Sequence, residues 1–158
     1  MGIPVYRLGV IAGLCAAVAA APTLSGCAQM GSTKEVVLTS GAPAPIGPYS
    51  QGIRSGNMLF LAGQGAIDPK TNQPMTSASI EDQTKQALEN LRAVLEANGM
   101  TLGNIVSTTV YMKDLNDFAR MNTVYGTYFT DKPPARATLE AARLPRDLKV
   151  EISAIALK

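Results

Sequence analysis

Two prolines, Pro133 and Pro134, stiffen the chain just before Ala135-Arg136-Ala137-Thr138, so an arginine falls at the opening of a strand-like run. A guanidinium there offers a planar five-donor fork, suited to gripping a carboxylate through two parallel hydrogen bonds. The same side chain could instead form a surface ion pair with Glu140 or Glu151. A second stretch, Ala44-Pro45-Ile46-Gly47-Pro48-Tyr49-Ser50-Gln51, is a rigid turn that delivers Tyr49 at a strand start, either into a site or onto the core. In a third, Ala62-Gly63-Gln64-Gly65, the glycines permit close approach by a ligand or a neighbouring segment. Asn122 falls between Met121 and Tyr125 on an apolar helical stripe, where a buried amide must find partners, in a neighbouring loop or at a subunit boundary.

What the chain lacks narrows the chemistry further. It contains no His and no Trp, and its two cysteines, Cys15 and Cys27, both lie in the first 27 residues. The remainder therefore cannot build a Ser-His or Cys-His catalytic pair, a Cys/His zinc site or an internal disulfide. Any chemistry there must use Arg, Lys, Tyr, Ser, Thr, Asp, Glu, amides or the backbone. Beyond Cys27 the charge is +1, from 13 basic and 12 acidic side chains, because Arg7 is the only charge before it. Such a balance gives no electrostatic purchase on nucleic acid, and no nucleic-acid partner is expected.

These residues need a scaffold, and the pattern along the chain supplies one. Short strands are expected at 36–39, 49–54 and 57–62, the last two hinged at Ser55-Gly56-Asn57. Ile80, Thr84, Ala87, Leu88, Leu91, Val94 and Leu95 form the stripe of an amphipathic helix, opened by Ser79 and closed by Asn98-Gly99. A strand follows at 105–112. Phe118, Met121, Tyr125 and Phe129 mark a second helix, and two strands at 136–142 and 148–157 complete the chain. The expected fold is α+β, a mixed sheet with two helices on one face. Ile155 and Leu157 are apolar on the face opposite Val150, Ile152 and Ala154, so the uncovered side calls for self-association.

Several of these stretches occur together in a known order. Ala44 through Gly52, Gly63-Gln64 followed by Asp68-Pro69-Lys70-Thr71, Lys113 through Phe118, Pro134-Ala135-Arg136, and Ala142 through Asp147 with Ala154-Ile155-Ala156 resemble the signatures of the RidA/YjgF family. The resemblance spans residues 35–158. It implies a chorismate-mutase-like fold, a homotrimer with three sites in the clefts between subunits, and cofactor-free hydrolysis of reactive enamines and imines to 2-keto acids and ammonia. The partner is then a small 2-imino or 2-keto acid. By the same resemblance Arg136 grips the substrate carboxylate, Tyr49 lines the site, the Gly63 and Thr138 backbones approach the ligand, and Asn122 lies near the cleft. Two departures accompany the likeness. Ser153 stands where deaminating members are expected to carry a glutamate that handles the attacking water, and Ala62 replaces a serine. The alternative is a carboxylate-binding or interaction module of the same fold, weak in hydrolysis; ribonuclease activity fits the charge less well.

The beginning of the chain reads as an address. A short segment with one charge, Arg7, precedes the apolar run Leu8–Ala21, and Leu24-Ser25-Gly26-Cys27 resembles a bacterial lipobox. Residues 1–26 are expected to be a lipoprotein signal peptide and 27–34 a lipidated tether. The domain would then sit outside the cytoplasm, anchored by acyl chains on Cys27, at an outer membrane where the cell has one. Intact-mass analysis of the membrane fraction is expected to show a chain beginning at a diacylglyceryl-modified Cys27; an intact Met1 or an unmodified Cys27 would refute this.

Overall fold

Ser79 accepts a hydrogen bond from Asp82 N (3.1 Å) and Glu81 and Asp82 occupy the first turn, the sequence pattern of a helix start. Helix α1 runs Ile80–Glu96 and buries Leu88, Leu91, Val94 and Leu95 completely. It ends where Gly99 takes φ +65° and Met100 N donates to Leu95 O (3.0 Å), a Schellman closure that only glycine adopts without strain. Helix α2 (Phe118–Tyr128) packs beside it, burying Met121 and Tyr125.

In the computed structural model, which describes residues 1–2 and 33–158, the strands are β1 (Lys34–Val37), β2 (Gly52–Ser55), β3 (Met58–Gly65), β4 (Ile105–Met112), β5 (Ala135–Glu140) and β6 (Val150–Leu157). They form one sheet in the order β1-β2-β3-β6-β4-β5, antiparallel except for the parallel pair β4 and β5. Residues 3–32 are outside the description, and with them Cys27 and most of the segments expected to be a leader and a tether. Among the described residues no helix is long and apolar enough to cross a membrane.

The expected elements are present with two instructive shifts. The strand expected at 49–54 begins only at Gly52, because Tyr49 N turns back to Gly47 O (2.8 Å) and the Gln51 side chain is occupied in holding the preceding loop. Gln51, almost fully buried, accepts from Thr39 N (2.7 Å) and donates to Ala42 O (3.1 Å) and Pro43 O (2.9 Å). The strand expected at 57–62 runs on to Gly65 because Gln64 and Gly65 pair with Ile152 and Glu151.

Both helices lie on one sheet face, over Leu59, Leu61, Val110, Met112, Ile152 and Ala154. Across the other face the register aligns Val36, Ile53, Phe60, Ile155, Ser107 and Ala135 in one row of paired residues. Phe60, Val106, Leu139 and Leu157 are exposed large apolar side chains, so the chain leaves this face without a layer of its own.

One buried amide ties the helix layer to the end of β3. Asn90 Nδ2 donates to both Gly65 O and Ile67 O, each at 3.0 Å. Asn90→Leu strands Ile67 O and takes one of two donors from Gly65 O, which keeps Ile67 N (2.9 Å), and is expected to cost about 1–3 kcal/mol in urea unfolding, whereas Gln86→Leu, which loses one half-buried contact to Asn90 Oδ1, costs under about 1 kcal/mol. Equal losses would show that the two carbonyls find other partners.

Candidate active site

The expected site residues fall into two groups on opposite faces of the sheet. The first surrounds a cavity of about 280 Å³ that includes Tyr49, Ala62, Gly63, Gly65 and Glu151 in its lining. Its floor is a bulge. On β3, Leu61 pairs with Ala154 and Gln64 with Ile152, so Ala62 and Gly63 fit into a gap that holds one residue on β6. On its other side Ala62 N donates to Gln51 O (3.0 Å), carrying the β2–β3 register one pair past Gly52 and Leu61.

The glycines here make room for side chains from across the sheet. A Cβ on Gly63 would collide with the Glu151 carboxylate, and one on Gly65 would collide with Leu148. The Glu151 side chain therefore lies down over β3, more than half removed from water. That desolvation raises its carboxyl above the ordinary value of 4.5. Tyr49 stands at the mouth, half exposed, its hydroxyl accepting from Ile46 N (3.3 Å) and keeping its own proton free to donate.

The second group is on the helix face at the sheet's outer strand. Register runs Val37, Gly52, Leu61, Ala154, Thr108 and then Arg136, all on one side. Arg136 pairs with neither Glu140, which accepts from Leu115 N (2.9 Å), nor Glu151, on the other face. Its Cζ lies 4.6 Å from the Tyr125 ring centroid and 5.7 Å from that of Phe118, a cation–π seat that holds the guanidinium and leaves its fork open. Tyr125 is fixed in turn by a 2.7 Å hydrogen bond with Thr108.

Thr138 follows two residues along the same face, its hydroxyl buried without a hydrogen-bond partner among the described residues. One side of the β5 backbone has no ladder partner, since β5 ends the sheet. Asn122 lies between Phe118 and Tyr125 on the same helix face, but it is half-buried rather than enclosed, so its amide does not need the full set of partners that its position on the stripe suggests.

Ser153 belongs to neither group. It sits opposite Thr109 in a shallow depression with Phe60 and Ile155. The carboxylate at the cavity is that of Glu151, which from the sequence alone stands only as a possible surface partner for Arg136. Alternation in Glu151-Ile152-Ser153 puts both residues on one face; only the register opposite Gly65 distinguishes them.

Residues 39–158 match the profile of the family described as Endoribonuclease L-PSP. The chain belongs to that RidA/YjgF family. The match covers the strands and helices that carry both groups of candidate site residues. A RutC family protein of Pyrococcus horikoshii is 55% identical over 125 residues, covering 79% of this chain and 98% of the relative. The 2-iminobutanoate/2-iminopropanoate deaminase of Escherichia coli K12 is 46% identical over 127 residues, with 78% and 98% covered. Among solved structures, E. coli TdcF with bound serine superposes with a TM-score of 0.76 at 41% identity, covering 79% of this chain and 99% of that one. The mixed six-stranded sheet with two helices is the RidA/YjgF fold.

The raised Glu151 carboxyl has a consequence for stability. The folded state holds this proton more tightly than the unfolded chain, so Glu151 favours folding most below about 4.5 and loses that contribution as pH rises through its raised value. Glu151→Gln carries no charge, and its melting temperature is expected to gain on the wild type between about pH 4 and pH 7. A difference that stays flat over that range would mean that burial does not perturb the carboxyl.

Proposed function

We propose that this protein hydrolyses 2-imino acids to 2-keto acids and ammonia, in a cleft between copies where Arg136 of one protomer completes the cavity of the next. The observation that carries this reading is the division of the site. Arg136 and the Glu151 cavity are on opposite faces and two strand spacings apart, roughly 10 Å, too far to share one small substrate within a chain. A closed ring of copies, the homotrimer, covers the apolar sheet face and brings the two groups together. The E. coli relative named as a 2-iminobutanoate/2-iminopropanoate deaminase supports the chemistry.

The steps use only groups on this chain. The Arg136 fork holds the substrate carboxylate and sets the C=N carbon over Gly63, where no Cβ blocks it. The imine reacts as its nitrogen-protonated iminium: Glu151 accepts a proton as water adds to that carbon, and the resulting neutral carbinolamine carries the former water oxygen. Glu151 then returns the proton to nitrogen, the C–N bond breaks as ammonia leaves, and the hydroxyl proton passes to the ammonia through Glu151, forming the keto group and ammonium. Tyr49 can donate its free hydroxyl proton to the substrate. Ser153 is not required as a base, and Ala62 leaves this constellation one hydroxyl poorer.

Phosphate tracking fits less well. Arg54, Arg92, Arg120 and Arg143 each face a carboxylate, so the described surface presents few unpaired arginines. The extracytoplasmic, Cys27-anchored address is part of the proposal and rests on the leader and lipobox alone.

The test is hydrolysis of 2-iminopropanoate generated in place, followed as pyruvate and ammonia. Arg136→Ala and Arg136→Lys should each lower kcat/KM by about tenfold to a hundredfold, since lysine keeps the charge but loses the fork. Glu151→Gln should lower kcat with little change in KM. Refolding Arg136→Ala together with Glu151→Gln should restore about a quarter of the wild-type rate, because some clefts then receive both intact residues. No acceleration by the wild type over spontaneous hydrolysis would overturn the function, and no recovery on mixing would overturn the shared site.

A further inference from the structure

Lys34, where β1 begins, and the cavity that holds Glu151 lie at opposite ends of the sheet. We infer that the end carrying Lys34 rests against the headgroups of an anionic bilayer, so that the cavity opens away from the membrane into the aqueous compartment; this rests on the reading of Cys27 as the lipid anchor.

Register fixes the two ends. Lys34 is opposite Ser55, Ser55 opposite Met58, Met58 opposite Leu157, and Ile105 opposite Ala156, so the first strand's start, the β2–β3 turn and the carboxyl terminus share one end. At the other end Gly65 is opposite Glu151 and Met112 opposite Val150, and the cavity-lining Ile67, Pro145 and Leu148 lie just beyond β3 and just before β6. Helix α1 spans the same interval. Near its start Gln83 Oε1 accepts from Lys149 N (2.8 Å), and just past its end a Cβ on Gly99 would touch the Lys158 ammonium. Its 17 residues, at about 1.5 Å each, make the depth between the two ends about 25 Å.

The length of chain ahead of Lys34 chooses between the ends. Seven residue steps separate Cys27 from Lys34, a reach of about 25 Å at full extension. With acyl chains on Cys27 in the lipid, Lys34 stays within that reach of the surface. Turning the cavity toward the bilayer would lift Lys34 by the whole depth of the domain and exhaust the reach, whereas resting on the Lys34 end uses almost none of it. In the homotrimer of the proposed function symmetry puts all three Lys34 residues at one height, so the ring cannot tip over without overstretching a connection.

Charge points the same way. At the Lys34 end Arg54 faces Glu35 (3.8 Å), and Lys34, Lys158 and Lys132, beside Leu102-Gly103, balance Glu96, Asp131 and the terminal carboxylate. At the cavity end, with Glu81–Arg120 and Arg143–Asp147 paired, Asp68, Asp82, Asp114, Asp117, Glu140 and Glu151 outnumber Lys70, Lys113, Arg146 and Lys149. An anionic surface therefore repels the end that carries the cavity and not the other.

The test reads depth directly. The chain has no cysteine after Cys27, so one introduced thiol takes one fluorophore. Protein purified from membranes with its lipid is placed in vesicles of phosphatidylethanolamine and phosphatidylglycerol whose headgroups carry a nitroxide quencher. The dye sits on Asn57→Cys or Glu96→Cys at one end, or on Thr71→Cys or Ser77→Cys at the other; all four positions are exposed and none lines the cavity. Asn57 and Glu96 dyes should be quenched about threefold or more as strongly as Thr71 and Ser77 dyes, because contact quenching does not reach across the ~25 Å between the ends. Equal quenching, or stronger quenching at Thr71 and Ser77, overturns the orientation, and the two pairs keep the comparison intact should one variant fail to fold. Intact mass and flotation with the vesicles are read on the same samples: an unmodified Cys27, or protein that stays off the vesicles, overturns the anchor reading and the orientation with it, while hydrolysis by the same protein is judged separately.

Discussion

The antiparallel pairing of β3 with β6 is the constraint on which the rest of this molecule depends. These strands are the middle of the sheet, they carry much of the core against α1, and their register is interrupted once, at Ala62-Gly63. A bulge there re-aims the backbone, and the absence of a Cβ at Gly63 and Gly65 lets Glu151 and Leu148 lie flat across the neighbouring strand. The floor of the cavity and the placement of its carboxylate follow from that one irregularity and the two glycines beside it. Anchoring comes from outside the sheet as well: Asn90 donates to Gly65 O and Ile67 O beyond the end of β3, and Gln51 binds the loop that leads to Tyr49.

A sheet has two faces, and this chain has helices for one. The consequence reaches beyond solubility, because the site residues are themselves divided between faces. Arg136 is held by aromatic rings of α2 on the covered side, while Glu151 is held by glycines on the open side. Under the proposed function this arrangement makes assembly and chemistry interdependent. It places the guanidinium on a rigid seat at a sheet edge, without a carboxylate partner among the described residues, and places the Glu151 carboxyl where water is scarce enough to raise its affinity for a proton. Under the proposed function the opposite environments suit the opposite tasks of holding a carboxylate and moving a proton.

Much of the scaffold was legible along the chain. α1 announced itself through Ser79, the stripe from Ile80 to Leu95 and the glycine stop, because helix contacts repeat every three or four residues and need no distant partner. The Pro-rich approaches to Tyr49 and Arg136 were legible for a similar local reason, since proline restricts the backbone wherever it occurs. Strand ends were less so: Gln51 reads as strand until its side chain is seen bonded to the Thr39–Pro43 loop. Asn122 reads as buried until α2 is found to leave its amide half open.

Sequence alone determined the composition of the possible chemistry: no imidazole or thiol beyond Cys27, one well-placed arginine, glycines where close approach is needed, and the family to which those motifs point. Tertiary structure alone decided which carboxylate joins Tyr49 and Gly63, and that Arg136 does not join them within one chain. The physical reason is register. Glu151 and Ser153 are equivalent under two-residue alternation, and a single extra residue on β3, 88 positions before Glu151, determines which of them meets a glycine gap. No local preference in either segment encodes that choice; it is made when the two strands pair.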